Sequence, residues 1–422
     1  MIQIQRIRQN KEEVIQGLSK RNLDVRDQIE ELLSIDEEKR KLQQRKEEAS
    51  AKINQISKEI GKFMAQGKKE EAERIKTEVS DLKEDFKTNS QKLQDLEERF
   101  HKILIDLPNV PHPSVKIGKS DEDNEIIESP AELLELDENA LAHWDLAKKY
   151  NLIDFDLGTK ITGSGFPVYT GQGAALQRAL ISYFLQYNLD AGYNEYYVPH
   201  MVNEDSAYGT GQLPDKEGQM YHMQLDNFYM IPTAEVPLTN IWRDNIISSE
   251  QLPIKMTGYT PCFRREAGSY GKDVRGLNRL HQFDKVEIVQ IVKPEDSYKV
   301  LDEMVKHVEQ LLINLELPYR VLRLCGGDLG VASALTYDFE VWSAAQKRWL
   351  EVSSISNFET YQTNRMKIRY RDENNKPQIA HSLNGSALAL PRIYAALIEN
   401  GQREDGIHLP KVLHSFINPI IK

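Results

Sequence analysis

Residues 263–287 read FRREAGSYGKDVRGLNRLHQFDKVE, and the way this stretch folds decides what must surround it. It opens on Phe263, Arg264, Arg265 and Glu266 and passes through Gly268, Gly271 and Gly276, which are interleaved with Lys272, Asp273, Arg275 and Arg279. It closes on His281, Gln282, Phe283, Asp284, Lys285, Val286 and Glu287, the start of the β-branched run KVEIVQIV. That composition predicts a strand, a flexible basic loop and a returning strand. Side chains two apart on a strand share a face. Arg264 and Glu266 are therefore expected on one surface of the entering strand, and Phe283, Lys285 and Glu287 on one surface of the returning strand. Alone, an Arg-x-Glu pair reads first as a structural ion pair, whereas glycine-spaced cations after it suit a loop that meets phosphates. Neither GxxxxGK[ST] nor GxGxxG occurs in the stretch, which argues against P-loop and dinucleotide-binding folds.

Outward from this hairpin the chain keeps a mixed grammar. AALQRALISYFLQ (174–186) and EDSYKVLDEMVKHVEQLLINL (295–315) read as helices, while YNEYYVPHMV (193–202) and PYRVLRL (318–324) read as strands. DFEVWSAAQKRWLEVSS (338–354) reads as two strands around a turn. Strands that follow one another without intervening helices favour a largely antiparallel sheet. In NGSALALPRIYAALIEN (384–400), Pro391 suits the first turn of a helix that runs to about Glu399 and stops at Asn400 and Gly401, placing Arg392 near its N-terminus.

The N-terminal quarter differs. From residue 25 to about 107 it has no proline before its end and is rich in charge, with apolar residues on seven-residue ladders. Ile35, Leu42, Ala49, Ile56 and Phe63 form one ladder, and Val79, Phe86, Leu93, Phe100 and Leu107 another. Sustained heptads predict a coiled coil, and Gly61 and Gly67 between the runs suggest a reversal, hence an antiparallel hairpin. Residues 36–105 carry 17 basic against 16 acidic residues, in a chain of formal net charge -11. The arm is thus electrically distinct from an acidic body, and Lys58, Lys62, Lys68 and Lys69 gather at its turn. Such a rod is either a solvated coiled coil or a surface for a phosphate backbone. LPNVPHPSVKIGKSDEDNE (107–125) then reads as a linker.

With 422 residues and 40% hydrophobic content the chain can hold more than one domain with a sizeable core. No apolar run approaches the ~20 residues of a membrane span and no secretory signal is apparent, so a cytoplasmic protein is expected. The negative charge argues against non-specific coating of nucleic acid. Two cysteines, Cys262 and Cys325, are too few for a disulfide framework, and no zinc is expected.

These residues together resemble the class II aminoacyl-tRNA synthetases, and within them the seryl family. Residues 263–287 are similar to motif 2, GYNEYYVPHMV with Pro199 to the dimer-forming motif 1, and residues 384–400 to motif 3. Thr233, Ala234 and Glu235 in IPTAEVPLTN match the triplet typical of serine recognition, and the long N-terminal hairpin is itself characteristic. The resemblance implies an α+β fold: an antiparallel coiled-coil hairpin followed by a class II catalytic domain on a mainly antiparallel sheet flanked by helices. It implies a tRNA-binding domain over residues 1–110 with the arm at about 28–105, a linker at 111–130 and a catalytic domain over 131–422. The activity implied is ligation of L-serine to serine tRNA through seryl-adenylate, with ATP as substrate and Mg2+ as cofactor, and serylation of selenocysteine tRNA where one is present.

By the same resemblance Arg264 and Arg392 are catalytic. Thr233, Ala234, Glu235, Arg264, Glu287, Asn384 and Ser386 bind serine. Arg264, Arg265, Glu266, Phe283, Glu351, Val352, Ser353, Ser354 and Arg392 bind ATP, with Phe283 stacking on adenine, and Glu351 and Ser354 hold the magnesium. Lys272, Asp273, Arg275 and Arg279 are candidates for ATP or the tRNA end. Lys58, Lys62, Lys68 and Lys69 are candidates for the long variable arm of serine tRNA, in a homodimer whose arm serves the partner's active site. Ala387 and Leu388 stand where many class II enzymes carry glycine. A coiled-coil interaction protein with a degenerate synthetase-like body, or a ligase charging a carrier protein, are the competing expectations.

Overall fold

The computed structural model describes residues 1–130, 132–267 and 275–422, without the side chains of 71, 72 and 76–78. Gly268, Gly271, Lys272 and Asp273 therefore lie outside the described residues. Contacts divide the chain into two units, Ile2–Ser19 with Leu23–Pro108, and Met1, Lys20–Asn22 with Asn109–Lys422.

In the first unit the expected hairpin is present, with helices Arg26–Ala65 and Lys69–Asp106. Forty residues in the first arm make it about 60 Å long. The seam is the predicted one: Ile35 and Leu42 pack with Leu93 and Leu96, flanked by Phe100 and Ile103. A two-helix rod has only one seam to bury, so Ile53, Ile56, Ile60 and Phe63 nearer the turn are half-buried while Asn54, Gln55, Ser57, Lys58 and Lys62 are exposed. Gly61 does not interrupt the helix, contrary to the expectation. The reversal rests on Gly67, whose φ of +74° is the left-handed conformation that glycine takes without strain. Lys58, Lys62, Lys68 and Lys69 are exposed, and the Lys68 ammonium lies 5.8 Å from the Phe63 ring centroid.

The second unit is built on an eight-stranded sheet among the described residues. Its strands are β1 (Glu125–Glu128), β2 (Asn194–Glu195), β3 (Ile254–Phe263), β4 (Gln282–Val292), β5 (Tyr319–Arg323), β6 (Leu335–Ser343), β7 (Arg348–Asn357) and β8 (His381–Ala389), in spatial order β1-β5-β6-β7-β8-β4-β3-β2. All pairings are antiparallel except β2 with β3. The stretch 111–130, expected as a linker, instead supplies the edge strand β1, and Val115 joins the main core. Its prolines and acidic residues surround a short EII segment that completes the sheet edge.

Helix Ser297–Asn314 covers one face with Val300, Leu301, Met304, Val308, Leu311 and Leu312. Their three- and four-residue spacing forms one apolar stripe, and each such side chain contributes about 1.5–3 kcal/mol on burial. Helix Leu390–Asn400 follows β8 directly, has Pro391 in its first turn and is buried along its length except at Arg392. Among the described residues no helix is long and apolar enough to cross a membrane.

Candidate active site

The strands β3 and β4 form the predicted hairpin, paired from Phe263–Gln282 to Ile254–Ile291. Ladder bonding ends one residue beyond β3, where the Arg264 N–H donates to the His281 carbonyl at 2.9 Å. Arg264 and Glu266 therefore do not share a strand face, contrary to the alternation argument. Glu266 has φ of +50°, which swings its carboxylate onto Arg279 at 2.9 Å. The alternation does hold on β4, where Lys285 Nζ and Glu287 Oε2 are 2.8 Å apart.

A cavity of about 260 Å³ opens over β4, β7 and the start of helix Leu390–Asn400. Of the residues expected at ATP, Arg264, Glu266, Phe283, Glu351, Val352, Ser353, Ser354 and Arg392 line it. Arg265 does not; it is exposed, and its backbone N–H donates to the Gln219 carbonyl at 2.9 Å. The Arg264 guanidinium carbon lies 5.3 Å from the Phe283 ring centroid, a cation over a π-face. Arg392 spans the cavity, with Nη1 donating to the Glu351 carbonyl at 2.8 Å and Nε to the Asn278 carbonyl at 3.1 Å. Ser353 is committed internally, its hydroxyl donating to the Ser386 carbonyl.

Two bulges make this lining possible. Glu351 and Ser354 are three apart, so a regular strand would send them to opposite faces. The β6–β7 register slips between Phe339–Ser353 and Glu340–Glu351, leaving Val352 as the extra residue, and both side chains reach the cavity. On β8 the register with β4 slips between Lys285–Ala389 and Glu287–Ser386. Ala387 and Leu388 occupy this irregularity as fully buried residues, and Ala389, Pro391 and Arg392 emerge on the cavity side.

Behind Lys285 and Ser386, which also line the cavity, lies a buried polar nest. The carboxylate of Glu287 accepts from Thr233 Oγ1 and from Asn384 Nδ2, each at 3.2 Å, besides its ion pair with Lys285. Thr233 Oγ1 in turn accepts the Glu235 N–H at 3.3 Å, and Gln362 Nε2 donates to Glu235 Oε1 at 2.6 Å. Ala234 caps the short helix that Glu235 begins, with no exposed surface. Burial, and next the charge of Glu287, push the Glu235 carboxyl up to about 7. Burial raises Glu287 too, against the pull of Lys285. Two carboxylates facing two cations, Lys285 and Arg264, make a site that can take a small zwitterion.

A divalent cation has suitable donors at Glu351 and Ser354. Asp338 stands opposite Ser354 in the β6–β7 register, and its Oδ1 is buried without a hydrogen-bond partner among the described residues. Burial, then the Glu351 charge, hold the Asp338 carboxyl above its usual range. Oxygen donors of this kind suit Mg2+. Among the described residues no group of three or more His, Cys, Asp or Glu could hold a metal, so most of the coordination would have to come from a ligand or water. Sequence reasoning gave no role to Lys285, Asn278 or Gln362. Lys285 had a usable signal in its two-residue spacing from Glu287, whereas Gln362 arrives from a distant helix and had none.

The chain matches the family model for the seryl-tRNA synthetase N-terminal domain over residues 1–111 and the model for the tRNA synthetase class II core domain (G, H, P, S and T) over residues 221–401. It is 48% identical over 418 residues to a serine–tRNA ligase of Salinibacter ruber, covering 99% of this chain and 98% of the relative. A second serine–tRNA ligase, from Pelodictyon phaeoclathratiforme, is 44% identical, with 99% and 97% covered. Among solved structures, the crystal structure of seryl-tRNA synthetase from Pyrococcus horikoshii complexed with ATP superposes with a TM-score of 0.91 at 32% identity, covering 99% of this chain and 98% of the other.

Proposed function

The chain belongs to the seryl-tRNA synthetase family and is a serine–tRNA ligase, and from that premise we propose how its residues divide the work. The observation that carries the reading is the Glu287 nest, in which Thr233, Asn384 and Lys285 converge on one buried carboxylate beside Glu235. Serine's ammonium is held by Glu235 and Glu287, and its hydroxyl is read by the polar groups around Ser386 and Asn384. A site built to pair a hydroxyl rejects an analogue lacking it by about 10⁴ to 10⁵. The serine carboxylate points out toward Arg264 and the cavity.

ATP occupies the cavity with its adenine against Phe283 and its distal phosphates toward Arg392. Attack of the serine carboxylate oxygen on the α-phosphorus brings two anions together and expels pyrophosphate, so Arg264 lowers the barrier by bridging both with a planar, permanently charged fork. Glu351 and Ser354, with Asp338 behind them, hold Mg2+, which supplies charge neutralisation of the phosphates. In the second step a terminal ribose hydroxyl of tRNA attacks the seryl carbonyl and AMP leaves. The unit that ends at Pro108 acts as the tRNA-binding domain and the sheet-bearing unit from Asn109 to Lys422 as the catalytic domain. Lys58, Lys62, Lys68 and Lys69 on the arm meet the long variable arm of serine tRNA by backbone and shape, and selenocysteine tRNA, which accepts the same amino acid, is charged where present. The protein works in the cytoplasm as a homodimer. Tyr197 (84% exposed), Met201, Leu225 and Phe228 support the dimer as exposed apolar side chains near the motif 1-like segment.

Serine-dependent exchange of pyrophosphate into ATP tests the reading. Exchange is expected with serine and not with alanine; folded protein that gives none with serine refutes it.

A further inference from the structure

A buried polar cluster stands directly behind the cavity wall, outside every residue assigned above. His143 and Glu399 are both 0% exposed. His143 begins helix His143–Lys149, and Glu399 lies in the last turn of Leu390–Asn400, the helix that carries Arg392 at its other end. Glu399 Oε1 accepts from the His143 backbone N–H at 2.9 Å, from ring Nδ1 at 2.7 Å and from Gln346 Nε2 at 3.0 Å, and the Ser343 hydroxyl donates to Oε2. On the other side of the ring, Nε2 receives the Leu277 N–H at 2.8 Å. A backbone N–H can only donate, so Nε2 is the nitrogen without a proton and Nδ1 carries the one that meets Glu399.

The consequence reaches the cavity. Leu277 and Asn278 line it. Asn278 Nδ2 donates to Gln346 Oε1 at 3.0 Å, and its carbonyl accepts from Arg392 Nε at 3.1 Å. Gly276, at φ of +65°, lies so close that a Cβ there would come within 2.2 Å of His143 Nε2. The circuit thus closes from Glu399 through His143, Leu277 and Asn278 to Arg392, and back along one helix.

We propose that His143 and Glu399 are positioning residues for ATP. Glu399 sets the tautomer and orientation of the ring, the ring holds the backbone of Leu277 and Asn278 against the cavity, and the Asn278 carbonyl aims Arg392. This rests on the reading of the cavity as the ATP site.

Two substitutions separate positioning from mere support of the fold. His143→Asn keeps a donor near Nδ1 and removes the acceptor for Leu277, whereas His143→Gln does the reverse. In serine-dependent pyrophosphate exchange, the Asn variant is expected to show an ATP KM about tenfold above the unmodified chain and the Gln variant one within about threefold, with serine KM within about twofold in both. Thermal midpoints should fall in both. Gly276→Ala, which presses a methyl group against Nε2, should reproduce the ATP-specific rise and keeps the test open if the Asn variant does not fold. Equal ATP KM values for the two His143 variants, or a Gly276→Ala variant with unchanged ATP KM, would overturn the proposal. Exchange by the unmodified chain speaks separately to the ligation reading.

Discussion

Titration of the nest proposed to bind serine tests the chemistry most directly. Glu235 is buried, and its carboxyl is pushed up from 4.5 to about 7 by burial and then by the charge of Glu287, with Gln362, Lys285 and Arg264 opposing. That displacement corresponds to about 3 kcal/mol by which the surroundings of Glu235 disfavour the charged carboxylate. Serine's ammonium is attracted by the ionised form and not by the neutral acid. In the exchange assay, kcat/KM for serine is therefore expected to fall about tenfold for each pH unit below about 7 and to be level just above it. Because Glu287 is raised as well and faces the same space, the limb reports the pair rather than one residue. At saturating serine, kcat/KM for ATP should lack the limb, since bound ammonium holds the carboxylate charged. Glu235→Gln should lower serine kcat/KM and flatten the profile. The stability linkage has the opposite sign. Between 4.5 and about 7 the folded chain binds more protons at Glu235 than the unfolded chain, so this group's contribution to stability decreases as pH rises through that window. A serine kcat/KM that stays level down to about pH 5.5, or a limb whose position and depth are unchanged in Glu235→Gln, refutes the assignment.

Thr233→Val keeps the shape of the side chain and removes the hydroxyl between Glu287 and the Glu235 N–H. A hydrogen bond to a charged group is worth about 1.5–3 kcal/mol, so serine kcat/KM should drop about 10- to 150-fold while ATP KM holds; equal losses for both substrates would place Thr233 elsewhere. Arg264→Lys should depress adenylate formation by about 10² or more, because a point charge cannot span carboxylate and phosphate, and a wild-type single-turnover rate removes Arg264 from the reaction. Deleting residues 36–104 should leave pyrophosphate exchange intact and abolish aminoacylation of tRNA, and unchanged charging would show that the arm does not bind it. Glu351→Gln should raise the Mg2+ concentration needed for half-maximal exchange several-fold with serine KM unchanged; an unaltered Mg2+ requirement counts against its role.

Much of this was legible in the chain because the signals are local. The heptads of the arm, the alternation on β4 and Pro391 at a helix start depend on residues a few positions apart, and the structure places them as read. The misreadings arose where the backbone departs from a regular element. Alternation puts Arg264 and Glu266 on one strand face because nothing local announces that β3 ends at Phe263 or that Glu266 takes a positive φ. The edge strand in 111–130 was hidden by the prolines and charges around it, which are typical of edges as well as of linkers.

The sequence by itself determined the hairpin arm, the largely antiparallel sheet and, through resemblance, the family, and it named many of the residues that line the cavity. Tertiary structure decided which of those residues meet. Glu351 and Ser354 share a cavity only through the bulge at Val352, Arg265 is turned away from it, and Gln362 and His143 come to the site from 127 and 256 positions along the chain from their carboxylate partners. Periodicity reports the face of an element, because that is set by repeating backbone angles. Where two distant faces converge depends on register shifts and on packing between elements, and no short window of sequence carries either.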